Sequence, residues 1–335
     1  MAEDSFLFSR INPRFLLVGS RALAALRPSL IAFLSANEKR LSGGKEHSIE
    51  FCNVLFVGNL CASLFIGFKF GFNHIIKNFL LLDNKLRWGL LINGCFSALL
   101  SALIFSGIEY TSVTNAVLLG RLGPVLYALA GSVILGRKVI FQEWLGFSLI
   151  AVGIIFLVLK TSHFQINIGD LLILASTFVY AISSILGKTL LSGSVRLPLV
   201  VFARNFISAI VFFIIASTMF GFQHFADVFA GHLWIIMSIY ALIAIVLEQF
   251  LWYAALEKLE SIVVGRWTSI SPVFGILYAF ILNNERPSSI QISAFFIIMI
   301  GLFISALGKS VTKKEEKIVK EEIEMAQTAD STASF

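Results

Sequence analysis

The residues of this chain most suited to chemistry are ionisable side chains that lie inside long apolar runs. Five are arginines and one is a glutamate: Arg21, Arg27, Arg121, Arg204, Arg266 and Glu248. A charged group is costly in an apolar medium, so it normally faces a protein interior or a watery cavity and marks a functional site. A guanidinium fork suits a carboxylate or a phosphate. The excess of arginine therefore predicts a site for an anionic or zwitterionic solute.

Arg121 and Arg266 form the most informative pair of these arginines. The chain repeats itself at an offset of 148 residues, and under that offset Arg121 corresponds to Ser269, about one helical turn beyond Arg266. The two arginines are therefore expected on similar faces of equivalent helices, one in each half of a shared cavity. The alternative is snorkelling, in which a long stem carries the guanidinium to the membrane interface. We prefer snorkelling for Arg21 and keep both interpretations for the other four arginines.

Glu248 is the carboxylate that opposes these arginines. It can pair with an arginine, accept a proton during transport or bind an ammonium group, because burial disfavours a lone charged carboxylate. Gln249, Asn115 and Tyr127 are further candidates for contact with a solute, since amides and aromatic rings in a cavity hydrogen-bond to and stack on polar molecules. We interpret the nearby Trp252 as part of an aromatic belt at the membrane interface.

Composition assigns the chain to the membrane. Of its 335 residues, 57% are hydrophobic and 14% are charged, and the mean hydropathy is +0.87, whereas a soluble domain has roughly 45–50% apolar and about 25% charged residues. The cysteines and histidines show no metal-binding spacing, so we expect neither metal nor cofactor. The basic residues lie at membrane edges rather than in one patch, which argues against nucleic acid as a partner. The expected partners are the lipid bilayer and a small-molecule solute.

Ten apolar runs approach the length of about 20 residues that a membrane-spanning helix needs. They are expected at 15–36, 50–68, 88–108, 113–135, 144–160, 171–190, 198–219, 233–254, 262–282 and 289–308. Most lysines and arginines outside these runs fall on the side that holds both termini, which the positive-inside rule assigns to the cytoplasm. The predicted fold is therefore an all-α integral membrane protein of ten transmembrane helices.

The ten runs divide into two halves of five. We expect a cytoplasmic segment at 1–14, a first half at 15–160, a second half at 168–308 and a charged cytoplasmic tail at 309–335. Because five is an odd number, the two five-helix repeats are inverted with respect to each other. We expect the protein to act as a monomer, since the cavity would lie within one chain.

The two halves share a sequence pattern around a proline. At the offset of 148 residues, Pro124 falls on Pro272 and Val125 falls on Val273. A repeat of this kind in membrane-type sequence predicts two homologous halves that meet at a shared centre. Proline removes a backbone donor, so Pro124 and Pro272 are expected to kink the central spans or to act as hinges.

The order of these motifs resembles the drug/metabolite transporter superfamily, in particular its EamA-type members. The motifs are GIEYTSVTNA at 107–116, LGPV at 122–125, LGRK at 135–138, GDLL at 169–172, ALEKL at 255–259, SPV at 271–273 and NER at 284–286. The resemblance implies a carrier that works by alternating access. It also implies a cavity lined mainly by the first, third, fourth, sixth, eighth and ninth spans.

Two positions depart from the pattern of that family. The acidic residue usual in the first closing turn is Arg137, although Glu285 retains it in the second half. The tryptophan frequent in the sixth span is absent, and Tyr180 lies near its place. By that position the resemblance implies Tyr180 as a residue of the cavity. These departures bear on the class of substrate rather than on the fold.

The sequence favours a secondary transporter over an enzyme or a channel. It contains no GxxxxGK[ST] motif for ATP and no HExxH motif for zinc, and a channel would need a continuous polar ring, usually built from several subunits. We expect an exporter of amino acids or related zwitterionic or anionic solutes in the plasma (inner) membrane, with proton coupling left open. The alternatives are a sugar-phosphate or nucleotide-sugar carrier, which would use the same arginines, and a multidrug exporter.

Overall fold

The apolar runs fold as helices, which satisfy every backbone donor and acceptor internally in a membrane. The computed structural model describes residues 11–37, 51–134, 139–161, 167–192, 195–219, 231–259, 263–264 and 267–305. Every regular element among these residues is helical. Residues 1–10, the predicted tail at 309–335 and Arg266 lie outside the described residues.

Helices α1 to α7 belong to the first half of the chain. They are α1 (Pro13–Ala36), α2 (Phe51–Phe70), α3 (Phe72–Leu80), α4 (Asn84–Tyr110), α5 (Val113–Leu119), α6 (Leu122–Ile134) and α7 (Phe141–Thr161). Among the described residues, the second half adds six longer helices, a π-helical segment and a short 3-10 turn. In chain order these are α8 (Ile168–Ser192), α9 (Leu197–Met219), α10 (Gly231–Tyr240), the π-helical segment (Ala241–Leu247), α11 (Glu248–Lys258), the 3-10 turn (Thr268–Ile270), α12 (Ser271–Asn283) and α13 (Ser289–Ser305).

The number of helices that can cross a membrane is lower than the number of apolar runs. Among the described residues, seven helical stretches are long and apolar enough, and α2 with α3 makes an eighth if that bent pair is one span. Helices α12 and α13 are apolar but shorter. The first predicted run is a regular helix with Pro28 inside it. The structure therefore supports a multi-pass membrane protein, and seven or eight spans meet the length criterion.

Each half contains one span that breaks near a proline. In the first half, α5 ends at Leu119 and α6 begins at Leu122, and in the second half the 3-10 turn precedes α12. Pro124 and Pro272 lie in the first turn of the helix that follows each break. A backbone N–H has no intrahelical acceptor there, so proline is well tolerated. The irregularity therefore lies in the turn that precedes each proline, where the ring would clash with the carbonyl group four residues earlier in a continuous helix.

Two apolar clusters close the opposite ends of the helix bundle. Helix α1 contributes Leu17 to one cluster and Ile31 to the other. Helix α4 contributes Leu90 to the first cluster and Phe105 to the second, so it runs in the same direction as α1. We name the two ends of the bundle the Leu17 end and the Ile31 end. The ionisable side chains of the spans lie between these two clusters.

Helices α7 and α13, the last of each half, pack through glycine. A Cβ atom added at Gly146 would lie 2.5 Å from the carbonyl oxygen of Gly301, and one added at Gly301 would lie 2.7 Å from the carbonyl oxygen of Gly146. Backbones approach this closely only where side chains are absent. The close pair keeps both helices at the side of the bundle, and neither contributes to the wall of the central cavity.

Candidate functional site

A cavity of about 210 Å³ lies between the two end clusters. Helices α1, α2, α4, α8 and α9 form its wall, together with the break between α5 and α6 and the segment from the π-helical residues into α11. Most of the residues predicted from sequence come together on this wall. They are Arg121, Arg204, Glu248, Gln249, Tyr180 and Pro124.

The helices that form the wall differ in part from those that the resemblance implied. Helix α2, in the second run, contributes Asn59, and helix α9, in the seventh run, contributes Arg204. Among the described residues of the ninth run, Ser271 lines the cavity. The second and seventh runs therefore take a larger part in the wall than expected.

Glu248 is the carboxylate of this wall, and it binds two arginines of α1. Arg21 donates from Nη2 to Oε1 at 2.6 Å, and Arg27 donates from Nη2 to Oε2 at 2.5 Å. Ser20 also donates to Oε1, at 3.0 Å. Because Glu248 is buried, these charge-assisted hydrogen bonds replace the water that the carboxylate would otherwise need. The ion pairs join the centre of α1 to the start of α11.

Arg27 also contacts the π-helical segment that precedes Glu248. A π-helix has i→i+5 hydrogen bonds in place of i→i+4 bonds, and such segments are frequent at functional sites. Arg27 donates from Nε to the carbonyl oxygen of Ala244, inside this segment, at 2.6 Å. One guanidinium group therefore donates both to a backbone carbonyl of the π-helical segment and to the Glu248 carboxylate.

Arg21 does not snorkel, and the preference for that interpretation is wrong. The residue is 8% exposed, and its guanidinium carbon lies 3.9 Å from the ring centroid of Trp252, a cation–π contact. Trp252 is itself buried on the cavity wall, so its interpretation as an interface belt is also wrong. Residues four apart share a helix face, so the spacing of Glu248 and Trp252 puts both on one face of α11, although it does not identify Arg21 as their partner.

Arg204 joins three helices around the cavity. Its Nη1 atom donates to Tyr253 Oη at 2.7 Å and to Ser183 Oγ at 3.0 Å. Ser183 in turn donates to Asn93 Oδ1 at 2.9 Å. These partners are neutral, so they hold the guanidinium in position, and no carboxylate among the described residues pairs with it.

Two other predicted residues have defined neighbours on the wall. Gln249 exchanges two amide hydrogen bonds with Asn205, at 2.8 and 3.3 Å. The ring of Tyr180 lies 6.0 Å from that of Trp252, between centroids. It also approaches the break between α5 and α6, where a Cβ atom at Gly123 would lie 2.9 Å from the tyrosine ring. Gly123 therefore permits the close approach of Tyr180 to α6.

Arg121 lies at the break between α5 and α6, and its partners are backbone carbonyls. It donates from Nε to the carbonyl oxygen of Val117 at 3.1 Å, and from Nη1 to that of Thr268 at 3.2 Å. Thr268 opens the 3-10 turn before α12. The interrupted helices of the two halves are thus connected through one guanidinium group at the cavity wall.

The electrostatic balance of the wall is positive. Four arginines line the cavity, Arg21, Arg27, Arg121 and Arg204, together with the carboxylate of Glu248. That carboxylate pairs with Arg21 and Arg27. Within the part of the chain that the structure describes, Arg121 and Arg204 have no carboxylate at ion-pair distance. The arrangement can therefore attract an anionic group from outside the protein.

Two of the residues predicted to contact a solute do not line the wall. Asn115 is buried beside the cavity and accepts a hydrogen bond from Gln291 Nε2 at 2.8 Å. Tyr127 is 1% exposed and packs in the cluster of the Leu17 end. Both side chains have structural neighbours in place of a solute. Arg266 lies outside the described residues.

Glu285 is a further candidate residue. The sequence analysis noted it only as the acidic residue that the family pattern has in the closing turn. Its carboxylate accepts hydrogen bonds from the backbone N–H groups of Val113 and Thr114, at 3.2 and 3.0 Å. These are unsatisfied donors in the first turn of α5, where a negative charge is stabilising. The acidic residue of the closing turn in the second half thus caps the broken span of the first half.

Comparison with known proteins agrees with this geometry. The family model described as the EamA-like transporter family matches the chain twice, over residues 22–159 and 167–307. The chain is 28% identical over 328 residues to the uncharacterized transporter sll1164 of Synechocystis, covering 95% of this chain and 93% of that protein. It is 24% identical over 222 residues to a probable amino-acid metabolite efflux pump of Salmonella typhimurium, covering 63% of this chain and 74% of the pump.

A solved crystal structure has the same fold at low sequence identity. It superposes with a TM-score of 0.59 and 16% identity, over 87% of this chain and 95% of the solved chain. The double match of the family model covers most of the chain, including every residue that lines the cavity except Arg21. The chain belongs to the EamA-like transporter family and is an integral, multi-pass membrane transporter.

Proposed function

We propose that the protein is a secondary transporter that exports amino acids or related small zwitterionic or anionic solutes. The observation that carries this proposal is the pair Arg121 and Arg204 on the cavity wall. Both guanidinium groups are held by neutral partners. A carboxylate of the solute would supply the counter-charge, and the planar fork of arginine suits it.

The size of the cavity favours a small solute. Its volume of about 210 Å³ is below the roughly 300–1,000 Å³ of pockets that hold drug-sized ligands. An amino acid fits such a space better than a nucleotide sugar does. The positive wall also disfavours lipophilic cations, which argues against a multidrug exporter. A sugar phosphate would use the same arginines, so sugar phosphates are among the solutes of the transport experiment described below.

Export is the direction suggested by a relative. The Salmonella protein, at 24% identity, carries the name of a probable amino-acid metabolite efflux pump. That name concerns the relative, and for this chain both the direction and the amino acid class are part of the proposal.

The proposal includes the architecture expected from the sequence. Ten spans in two inverted five-helix repeats, at 15–160 and 168–308, would place the two broken helices at equivalent positions of the two halves. Helices α12 and α13 are shorter than the other spans, but they occupy the ninth and tenth positions of this scheme. Both termini would lie in the cytoplasm, with the protein in the plasma (inner) membrane. The cavity lies within one chain, which supports a monomer as the transporting unit.

Glu248 is the group that we propose as the proton acceptor in coupled transport. Protonation would remove its negative charge and weaken its ion pairs with Arg21 and Arg27. Helix α1 would then be released from α11, and the two arginines would be open to the solute. The contacts of Glu248 support this role because one protonation step acts on both ion pairs.

Flux into proteoliposomes tests the proposed function. Counterflow of labelled amino acids, sugar phosphates and a cationic drug should show transport of amino acids by the parent protein. Arg204→Gln should lower that rate about ten- to a hundredfold, because a hydrogen bond between charged groups contributes about 1.5–3 kcal/mol. Arg14→Gln is the matched control, since Arg14 is exposed outside the cavity, and it should transport at the parental rate. Transport of the cationic drug alone, or an unaffected Arg204→Gln variant, would overturn the proposal.

A further inference from the structure

Helix α3 turns sharply away from the preceding helix, α2. Its axis makes an angle of 93° with that of α2. Gly71 forms the corner with φ of +81°, a conformation that favours glycine. A Cβ atom at Gly67 would lie 2.2 Å from the ring of Phe72, so the lack of a side chain at Gly67 makes room for that ring. If α2 crosses the membrane, α3 runs along the membrane plane.

The corner is fixed to the body of the protein at both ends of α3. At the first turn, Arg196 Nη1 lies 2.8 Å from His74 Nε2, and the rings of Phe72 and Phe202 make an edge contact at 6.1 Å between centroids. At the last turn, Arg87 donates to the carbonyl oxygen of Leu80 at 2.6 Å. The helix is therefore a permanent feature of the surface at the Leu17 end of the bundle.

The nine residues of α3 divide cleanly into two faces. Spacing by about 100° per residue sets the apolar residues on one arc and the polar residues on the other: Phe72, Ile75, Ile76, Phe79 and Leu80 against Asn73, His74, Lys77 and Asn78. Part of the apolar arc meets the protein, where Ile75 is 2% exposed. The rest does not, since Ile76 is 52% exposed and Leu80 is 61% exposed. This is the pattern of a helix that lies at a membrane interface.

Basic residues dominate the surface around this helix. The segment 69–87 contains three lysines and Arg87 against one acidic residue, Asp83. Lys69 and Lys77 are exposed, and neither has an ion-pair partner among the residues that the structure describes. Trp88 follows directly and is 64% exposed, as expected for an aromatic residue at headgroup level. The charge of this surface is therefore complementary to an anionic membrane.

A shallow depression runs along the boundary of the two faces of α3. Its lining combines polar and apolar side chains: Asn73, His74, Ile76, Lys77 and Leu80. A phospholipid has the same combination, with a charged phosphate beside acyl chains. Lys77 would meet the phosphate while Ile76 and Leu80 contact the start of the acyl chains. A soluble anion would leave those two apolar side chains exposed.

We propose that α3 lies in the headgroup layer and binds the phosphate group of anionic phospholipids through Lys77 and Lys69. Electrostatic attraction brings the anionic lipid to the two lysines, and the apolar edge of α3 holds it in place. This site is separate from the central cavity, since no residue of α3 lines that cavity. Its occupant is a lipid of the surrounding leaflet rather than the transported solute.

Lipid binding to the full-length protein in detergent tests this proposal. Native mass spectrometry should show that the parent retains phosphatidylglycerol in preference to phosphatidylcholine. Each lysine near an anionic surface contributes about fivefold to affinity. Lys77→Gln should therefore weaken retention by about that factor, and Lys69→Gln with Lys77→Gln should weaken it further. The melting midpoint in the presence of added phosphatidylglycerol should be highest for the parent, lower for Lys77→Gln and lowest for the double variant.

Lys258→Gln is the matched control for charge. Lys258 is exposed at the same end of the bundle but lies on α11, away from α3, and this variant should bind lipid as the parent does. Inorganic phosphate at the lipid concentration should not displace phosphatidylglycerol. Equal retention of the two lipids, an equal loss in Lys258→Gln, or full displacement by phosphate would each overturn the proposal.

Discussion

Arg121 in the first half donates a hydrogen bond to the carbonyl oxygen of Thr268 in the second half, at 3.2 Å. Both residues lie where a helix is interrupted, before Pro124 and Pro272 respectively. The contact makes the cavity wall a junction between the two halves. Under the proposed function, an anion that binds Arg121 would compete with this carbonyl group, and solute binding would act directly on the contact between the two halves. That is the relationship an alternating-access carrier requires.

Removing the charge of Glu248 should destabilise the protein strongly. Glu248→Gln leaves the buried Arg21 and the part-buried Arg27 without their counter-charge, and breaking a buried ion pair from one side costs about 3–5 kcal/mol. Denaturant unfolding in detergent measures the free energy difference. Glu257→Gln is the control, because Glu257 is exposed on the same helix, and it should change stability by less than about 0.5 kcal/mol. Equal stability of the two variants would contradict the ion-pair account.

A pH gradient should drive transport only while Glu248 is present. In proteoliposomes that contain the parent protein, a gradient of one pH unit should change solute accumulation by up to about tenfold for each coupled proton. Glu248→Gln cannot take up the proton, so its accumulation should not respond to the gradient. The measurement compares accumulation with and without a proton ionophore. A gradient response that persists in Glu248→Gln would assign coupling to another group.

Adding a methyl group at Gly146 should separate α7 from α13. The added Cβ would lie 2.5 Å from a backbone oxygen that cannot move away alone, and overpacking of this kind costs about 1–3 kcal/mol. Gly19→Ala is the control, since a Cβ there would meet Leu251 Cδ1 at 3.5 Å, an ordinary contact. We expect Gly19→Ala to be neutral or stabilising, because alanine favours helix. Thermal unfolding of both variants gives the comparison, and a neutral Gly146→Ala would show that the helices can separate without cost.

The sequence was informative about structural features that depend on a local pattern of residues. Hydropathy identified the helices, and the offset that aligns Pro124 with Pro272 identified the interrupted spans at the centre. The presence of an arginine in an apolar run predicted cavity positions for Arg121 and Arg204. These inferences need only the cost of a charge in lipid and the length of a helix.

The partners of these residues depend on tertiary packing and were harder to predict. Arg21 and Glu248 are 227 residues apart in the chain, so no local pattern reports their ion pair. Proximity to a helix end favoured snorkelling for Arg21, but Trp252 and Glu248 give its guanidinium a partner inside the protein. Asn115 lies on a cavity-forming span, yet its amide faces Gln291. A helix pattern alone does not reveal which neighbour meets each face.

The central claim is that Arg121 and Arg204 bind a small anionic or zwitterionic solute, and ligand-induced thermal stabilisation tests it most directly. The purified parent protein is melted with amino acids, organic acids, sugar phosphates and cationic drugs, beside Arg121→Gln, Arg204→Gln and the control Arg14→Gln. A ligand at a hundredfold excess over its dissociation constant adds about 2.7 kcal/mol of stability. We predict that an anionic or zwitterionic solute of amino-acid size raises the midpoint of the parent and of Arg14→Gln but of neither cavity variant. Stabilisation by cationic drugs alone, or an equal response in all four proteins, would contradict the account.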